Sequence, residues 1–294
     1  MHDIVIAGLP VGLSALRDPI GALSPRSTLL HHAQSAIRLE GVDASADDMA
    51  SLRAAADAAG ADCFVVPEGC STERFRLFCF DMDSTLIENE CINEMARAAG
   101  VFDEISRVTD EAMAGRLNFT ESLRRRVALL AGAPISILGQ AERAIRIMPG
   151  AEAVANFARR HGVSVYVISG GFSFLTRPLA TRLGLSGAVS NELVLRDGRL
   201  TGEVTGPAGR EIVDAVGKRR AAQILAHLLG LNLDNALCCG DGSNDIEMVT
   251  AAGLGVSFHG RAKLEAVANV RIRHNDLSAI PLLFRESWTT SRPL

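Results

Sequence analysis

The chain has 294 residues, 48% of them apolar, and a formal net charge of −4, which is enough hydrophobic material for one main domain with a smaller companion. No uninterrupted apolar run approaches the roughly 18 residues of a membrane helix, and the apolar stretch up to Leu16 lacks the basic start of a signal peptide, so neither a membrane span nor a leader is expected. The one dense basic cluster, Arg124-Arg125-Arg126, has no aromatic partners, which argues against a nucleic-acid surface and for small anions as guests.

Residues 1–73 read as a small α/β unit. A strand is predicted over Asp3 to Ala7, a helix over Ser45 to Ala59 with Asp48 completing a capping pattern, and a strand over Cys63 to Val66. Gly8, Gly12 and Gly21 around Pro10 lack dinucleotide-loop spacing and read as turns. Pro67-Glu68-Gly69 ends the unit, and the polar Ser71 to Arg74 joins it to the rest of the chain. A packing or dimerisation role suits such a unit, with a homodimer as the expected assembly.

The apolar run Phe75-Arg76-Leu77-Phe78-Cys79-Phe80 then delivers Asp81-Met82-Asp83-Ser84-Thr85. In an open α/β sheet, ligands bind beyond the carboxyl ends of the strands, so both acids are candidates for chemistry. Residues i and i+2 share a face only while the chain stays extended, and a turn at Ser84-Thr85 would give the two acids different jobs. The first can attack an electrophile or hold a hard cation, and the second can act as an acid. Taken alone, the pair is also what a capped strand-to-helix turn looks like.

From Glu90 to Ile147 apolar residues recur every three or four positions and strand signals vanish, which predicts a helical cap over 89–147. The catalytic core is therefore expected over 74–88 and 148–294. Strands followed by helices resume at Val163 to Ser169, Ala236 to Gly240 and Gly255 to Phe258, implying an α/β fold with a doubly wound parallel sheet. Asp197-Gly198, flanked by strand-like runs, predicts a hairpin.

Two further strand ends carry polar residues. Ser169-Gly170-Gly171 offers a hydroxyl and backbone N–H groups to an anion, although it is also a common turn. Gly240-Asp241-Gly242-Ser243-Asn244-Asp245 clusters two acids and an amide, a composition suited to magnesium, or to an ordinary helix start. Ahead of it, on a helix predicted over Ile212 to Leu229, lies Lys218, one of only two lysines among 30 basic residues, placed there either by chance or by a need for a compact ammonium. The six cysteines form no C-x-x-C pair and have no nearby His ligands, which excludes a zinc reading and fits buried thiols in a reducing cytoplasm.

Together, Asp81-Met82-Asp83-Ser84-Thr85, Ser169-Gly170-Gly171, Lys218 and Gly240-Asp241-Gly242-Ser243-Asn244-Asp245 resemble the four ordered motifs of the haloacid dehalogenase superfamily of phosphohydrolases. Glu90, Glu111-Ala112-Met113, Asn118-Phe119 and Ser122-Leu123-Arg124-Arg125-Arg126-Val127 further resemble its phosphoserine phosphatase branch. The resemblance covers residues 74 to about 280 and leaves 1–73 unmatched. It implies a Rossmann-like core and a small phosphomonoester substrate, namely O-phospho-L-serine in the last step of serine biosynthesis.

On that resemblance Asp81 is the nucleophile and Asp83 the acid and then base. Magnesium is held by Asp81, the Asp83 carbonyl and Asp241, with Asp245 in support. Ser169, Gly170, Lys218 and Asn244 surround the phosphate. Glu90 faces the substrate ammonium, Arg126 its carboxylate, and Met113 and Phe119 close the lid. A phosphotransferase passing phosphate to an alcohol such as homoserine would use the same active site, and an amino-acid sensor built on residues 1–73 is a third reading.

Overall fold

The computed structural model describes residues 2–8, 16–21, 23–31, 33, 35–67 and 69–288. Its first unit comprises β1 (His2–Ala7), α1 (Arg17–Gly21), β2 (Ser27–His31), β3 (Ala36–Val42), α2 (Ala46–Ala58) and β4 (Asp62–Pro67). The strands form an antiparallel sheet in the order β2-β3-β1-β4. Ser45 caps α2 through reciprocal bonds with Asp48, as their spacing predicts. Ile4, Ile6, Leu39, Leu52 and Ala56 make a separate small core. Pro10 and Gly12 lie outside the described residues, as does Glu68 of the terminating turn.

The sequence pattern does not predict strands β2 and β3. Arg38 and Glu40 interrupt the apolar pattern of β3, and Gly41, in the left-handed region at φ 64°, sits where the β1–β3 register shifts. Arg38 is only 1% exposed because its Nη2 donates to Asp3 Oδ2 at 2.6 Å and its Nη1 to the Leu283 carbonyl at 3.2 Å. A buried charge is tolerable only when paired in this way, and the pairing pins the first unit to turns near the other end of the chain.

The second unit begins with β5 (Leu77–Phe80) and the cap helices α3 (Cys91–Ala99), α4 (Phe102–Met113), α5 (Phe119–Ala128) and α6 (Ser136–Ala144). It continues with α7 (Ala151–Arg160), β6 (Ser164–Phe172), α8 (Ser173–Leu183), β7 (Gly187–Arg196), β8 (Arg199–Thr205) and α9 (Ala215–Leu228). Last come β9 (Ala236–Gly240), α10 (Ile246–Ala251), β10 (Leu254–Phe258), α11 (Ala262–Glu265) and β11 (Val270–Ile272). The sheet order is β11-β10-β9-β5-β6-β7-β8, parallel throughout except for the β7–β8 hairpin.

Strand β5 is central and fully buried. Phe78 and Phe80 belong to one apolar cluster, and Leu77 and Cys79 to another on the opposite face. The chain leaves β5 toward β6 on one side and reaches β9 on the other, so its carboxyl end is the point where strand order reverses and a crevice opens. Asp197 and Gly198 both have positive φ, at 51° and 72°, the two-residue turn that Asp-Gly favours.

Two short segments tie the cap to this sheet. Glu88 N donates to Arg146 O and Met148 N to Leu86 O, both at 2.9 Å, so the way into the cap and the way out run side by side. The cap also leans on the β7–β8 hairpin, with Gly132 N donating to Leu200 O at 2.8 Å. Strand β6 departs from expectation. It does not stop at Ser169 but runs to Phe172, with its pairing to β7 interrupted between Ile168 and Phe172. Ser169-Gly170-Gly171 is thus an irregularity within a strand rather than a turn beyond it, because the glycines let the backbone deviate and then rejoin the sheet.

Candidate active site

Asp81 N still donates to Cys239 O at 2.9 Å, so the backbone remains in the sheet at the first acid. The chain then turns sharply. Thr85, Leu86 and Ile87 N–H groups converge on the Met82 carbonyl, and Ser84 adopts a left-handed conformation at φ 56°. This turn separates the environments of the two acids. Asp81 Oδ1 accepts bonds from Met82 N and Lys218 Nζ, both at 2.7 Å, while no described hydrogen bond engages Oδ2. Asp83 Oδ1 instead accepts from Cys91 N at 2.6 Å, the first residue of α3, which links this acid to the cap.

Asp214 caps α9 by accepting from Gly217 N at 2.9 Å, and the helix carries Lys218 to the centre of the site. The ammonium is fully buried, 2.7 Å from Asp245 Oδ1 as well as from Asp81. Burial alone would push Lys218 down, but Asp245 and Asp81 outweigh it and hold it above the ordinary lysine range. Asp245 Oδ2 accepts from Gly242 N at 3.0 Å, so both of its oxygens are engaged. Gly240 is required here, because a Cβ on it would lie 2.3 Å from Asp245 Cγ. Replacing Lys218 by Met leaves two buried carboxylates without their counter-charge. The expected cost is about 3–5 kcal/mol of folding stability, read from urea unfolding midpoints.

One ammonium does not balance this site. Burial and the neighbouring Asp245 push Asp81 well up; burial and Glu90 push Asp83 up to about 7; burial, Asp245 and Glu90 push Asp241 up to about 7. Asp81, Asp241 and Asp245 bring one oxygen each within 4.8 Å of one another. With Asp245 already saturated by Lys218 and Gly242, Asp81 and Asp241 are the carboxylates left to share a cation. The carboxylate of Asp83 stands outside this group. Hard oxygen donors with surplus negative charge fit a hard divalent cation.

Above this floor lies a cavity of about 330 Å³ lined by Asp81, Asp83, Glu90, Met113, Phe119, Arg126, Gly170, Asp241 and Asn244, among others. Glu90 precedes α3 and accepts from Ser84 Oγ at 3.1 Å. Arg126, on α5, is half-buried with Nε donating to Ser122 O at 3.3 Å; burial lowers its pKa while Glu90 and Asp83 oppose that shift. The Phe119 ring covers Gly170 so closely that a Cβ there would meet Cζ at 2.5 Å. Met113, at the end of α4, is 63% exposed at the rim. Ser169, Lys218 and Asp245 lie behind the lining rather than on it, and Ser169 Oγ accepts from Gly171 N at 2.8 Å.

These features agree with known proteins. The sequence model of the haloacid dehalogenase-like hydrolase family matches residues 78–250. A phosphoserine phosphatase of Methanocaldococcus jannaschii is 40% identical over 205 residues, 70% of this chain and 95% of that protein. The chain belongs to the haloacid dehalogenase-like hydrolase family. A phosphoserine phosphatase of Archaeoglobus fulgidus is 40% identical over 226 residues, 77% of this chain and 64% of its own. The crystal structure of a probable phosphoserine phosphatase from Vibrio cholerae superposes with a TM-score of 0.80 at 31% identity, covering 96% of this chain and 85% of that one. The chain spans between about half and two thirds of the length of the first curated relatives it matches, 64%, 53% and 53%.

Within this haloacid dehalogenase-like site, sequence reasoning missed Asn191. It is fully buried in β7, with Nδ2 donating to Gly170 O at 2.9 Å and Oδ1 accepting from Val213 N at 2.8 Å. It therefore fixes the irregular stretch of β6 against the segment leading into α9. Flanked by Ser190 and Glu192, it gave no local signal of a buried amide. Thr109 and Arg261, which also line the cavity, were missed as well.

Proposed function

We propose that the protein hydrolyses O-phospho-L-serine to L-serine and orthophosphate through an aspartyl-phosphate on Asp81. The observation that carries this reading is the state of Asp81: one oxygen is held by Met82 N and Lys218, and the other takes no hydrogen bond among the described residues, in a cavity it shares with Asp83, Glu90 and Arg126. Asp81 Oδ2 forms the new bond to phosphorus as the phosphorus–serine oxygen bond breaks. The departing electron pair stays on that oxygen, which takes a proton from Asp83. Asp83 then accepts a proton from water as the water oxygen attacks phosphorus and the bond to Asp81 breaks. A carboxyl pushed up to about 7 can serve in both directions near neutral pH.

Asp81, the Asp83 backbone carbonyl and Asp241 would hold Mg²⁺, with Asp245 positioning Lys218. When bound, the ion supplies charge neutralisation for the phosphoryl oxygens. The Gly170 N–H and Asn244, on the cavity lining, and Ser169 and Lys218, directly behind it, surround the phosphate. Arg126 pairs with the substrate carboxylate and Glu90 with its ammonium, under a lid that includes Met113 and Phe119. In this reading residues 89–147 are the cap, 74–88 with 148–294 the catalytic core, and 1–73 a packing unit. No described helix is long and apolar enough to cross a membrane, and we place the reaction in the cytoplasm, to which the six free thiols are suited.

The test is phosphate release across a panel of phosphomonoesters with and without magnesium. Phosphoserine should be the preferred substrate and chelation should stop turnover; a flat panel, or indifference to magnesium, would sink the reading.

The same charge imbalance sets a pH prediction. Asp83 and Asp241 hold their protons more tightly in the folded state than in the unfolded chain, where carboxyls ionise near 4. Ionising them therefore costs stability, so their contribution declines as pH rises from about 4 to about 7 and is level above that. Magnesium prefers the ionised acids and should restore stability most at the upper end, by about 2.7 kcal/mol at a hundred times its Kd. Thermal unfolding from pH 4 to 8, with chelator and with magnesium, checks both signs.

A further inference from the structure

Among the described residues two cationic side chains line the cavity, and the proposed hydrolysis uses only Arg126. The other is Arg261, between β10 and α11 on the core side. Its backbone is held firmly. Arg261 N donates to the Asp241 carbonyl at 3.0 Å, and its own carbonyl accepts from Leu264 and Glu265. The residues before it are equally constrained: His259 N donates to Ile272 O at 2.8 Å, and His259 Nε2 meets Asn275 O at 2.8 Å. A Cβ on Gly260 would lie 2.1 Å from Ser257 Oγ, so the turn has no slack.

The side chain is the opposite case. Arg261 is exposed, and among the described residues no hydrogen bond or ion pair engages its guanidinium. A rigid mount thus carries an uncommitted cation at the edge of a cavity whose lining includes Asp81, Asp83, Glu90 and Asp241. An incoming phosphomonoester is a dianion and meets this negative wall before it reaches the buried Lys218. A charge at a rim acts mainly on the encounter, through association rate and salt dependence, and little on the chemical step.

Building on the phosphatase reading, we infer that Arg261 is a positioning residue that captures the phosphate group of the substrate at the cavity mouth and holds orthophosphate before it leaves. The guanidinium approaches the phosphate from the Asp241 side, while Arg126 addresses the carboxylate from the cap. The two cations therefore divide a substrate with two anionic ends.

Arg261→Ala should lower kcat/KM for phosphoserine about tenfold at low salt, most of it through KM, and should flatten the decline of kcat/KM with ionic strength. Arg261→Lys should restore most of both, because a point charge suffices for steering. A loss confined to kcat, the same at every ionic strength and not recovered by Lys, would show that Arg261 acts only through the Asp241 loop and would overturn the inference, as would an unchanged kcat/KM.

Calorimetric titration of orthophosphate into magnesium-loaded wild type and Arg261→Ala gives a readout independent of turnover. Weaker binding to the variant is expected, whereas equal affinity or no binding to the wild type counts against the proposal. A wild type that binds orthophosphate more tightly than the variant yet releases none from phosphoserine would remove the substrate assignment and leave the anion-capture role standing.

Discussion

Asp81→Asn is expected to abolish turnover, with kcat reduced by at least about 10⁴-fold, the scale on which removing a covalent nucleophile acts. The substitution is nearly isosteric. An amide oxygen can still accept from Met82 N, and Lys218 keeps Asp245 as a partner at 2.7 Å. The site also loses one of its crowded negative charges, which offsets part of the lost ion pair. Folding should therefore survive, and the circular dichroism spectrum should match the wild type. Acid-quenched wild-type enzyme incubated with phosphoserine should yield a phosphorylated peptide containing Asp81, and the variant none. Appreciable phosphatase activity in a verified variant preparation would show that Asp81 is not the nucleophile.

How much of this site could be read from the sequence depended on the kind of interaction. Asp81, Asp83 and Asp241 stand at or just past the ends of short apolar strands, and the topological rule for parallel sheets locates such residues without knowledge of their neighbours. Lys218 was noticeable because, Lys263 apart, the chain otherwise uses arginine. Its actual partners, two carboxylates 27 and 137 positions away, follow only from the packing of α9 against α10 and β6. Asn191 acts by contacts between segments distant in sequence, and Arg261 reaches the cavity only because the turn after β10 comes back beside Asp241; nothing in their local patterns marks either placement.

In the fold, the elements with a clear period or cap, such as the α2 capping box and the Asp197-Gly198 turn, were legible. Strand β3 was not, because Arg38 is neutralised by Asp3 from another strand and hides in an interior that its type would normally avoid. Ser169-Gly170-Gly171 reads as a turn since two glycines usually signal one. Here the same flexibility allows an irregular strand to continue, held by Asn191.

Arg126→Ala should separate substrates rather than silence the enzyme. The guanidinium is half-buried among cap residues, faces Glu90 and Asp83, and spends only its Nε on the Ser122 carbonyl. The remaining donors form a planar fork suited to a carboxylate. A phosphomonoester without a carboxylate gains nothing from that fork, whereas phosphoserine loses a charge-assisted pair inside a partly desolvated cavity. Removing one partner of such a pair costs about 2–5 kcal/mol, so kcat/KM for phosphoserine should fall roughly 30- to 1,000-fold or more. For p-nitrophenyl phosphate the loss should stay within about threefold, since an exposed or uninvolved charge contributes less than about 1 kcal/mol. Parallel kinetics on the two substrates decide the point. Equal losses would mean that Arg126 supports the cap or the chemistry itself, because only a residue that reads the carboxylate can distinguish them.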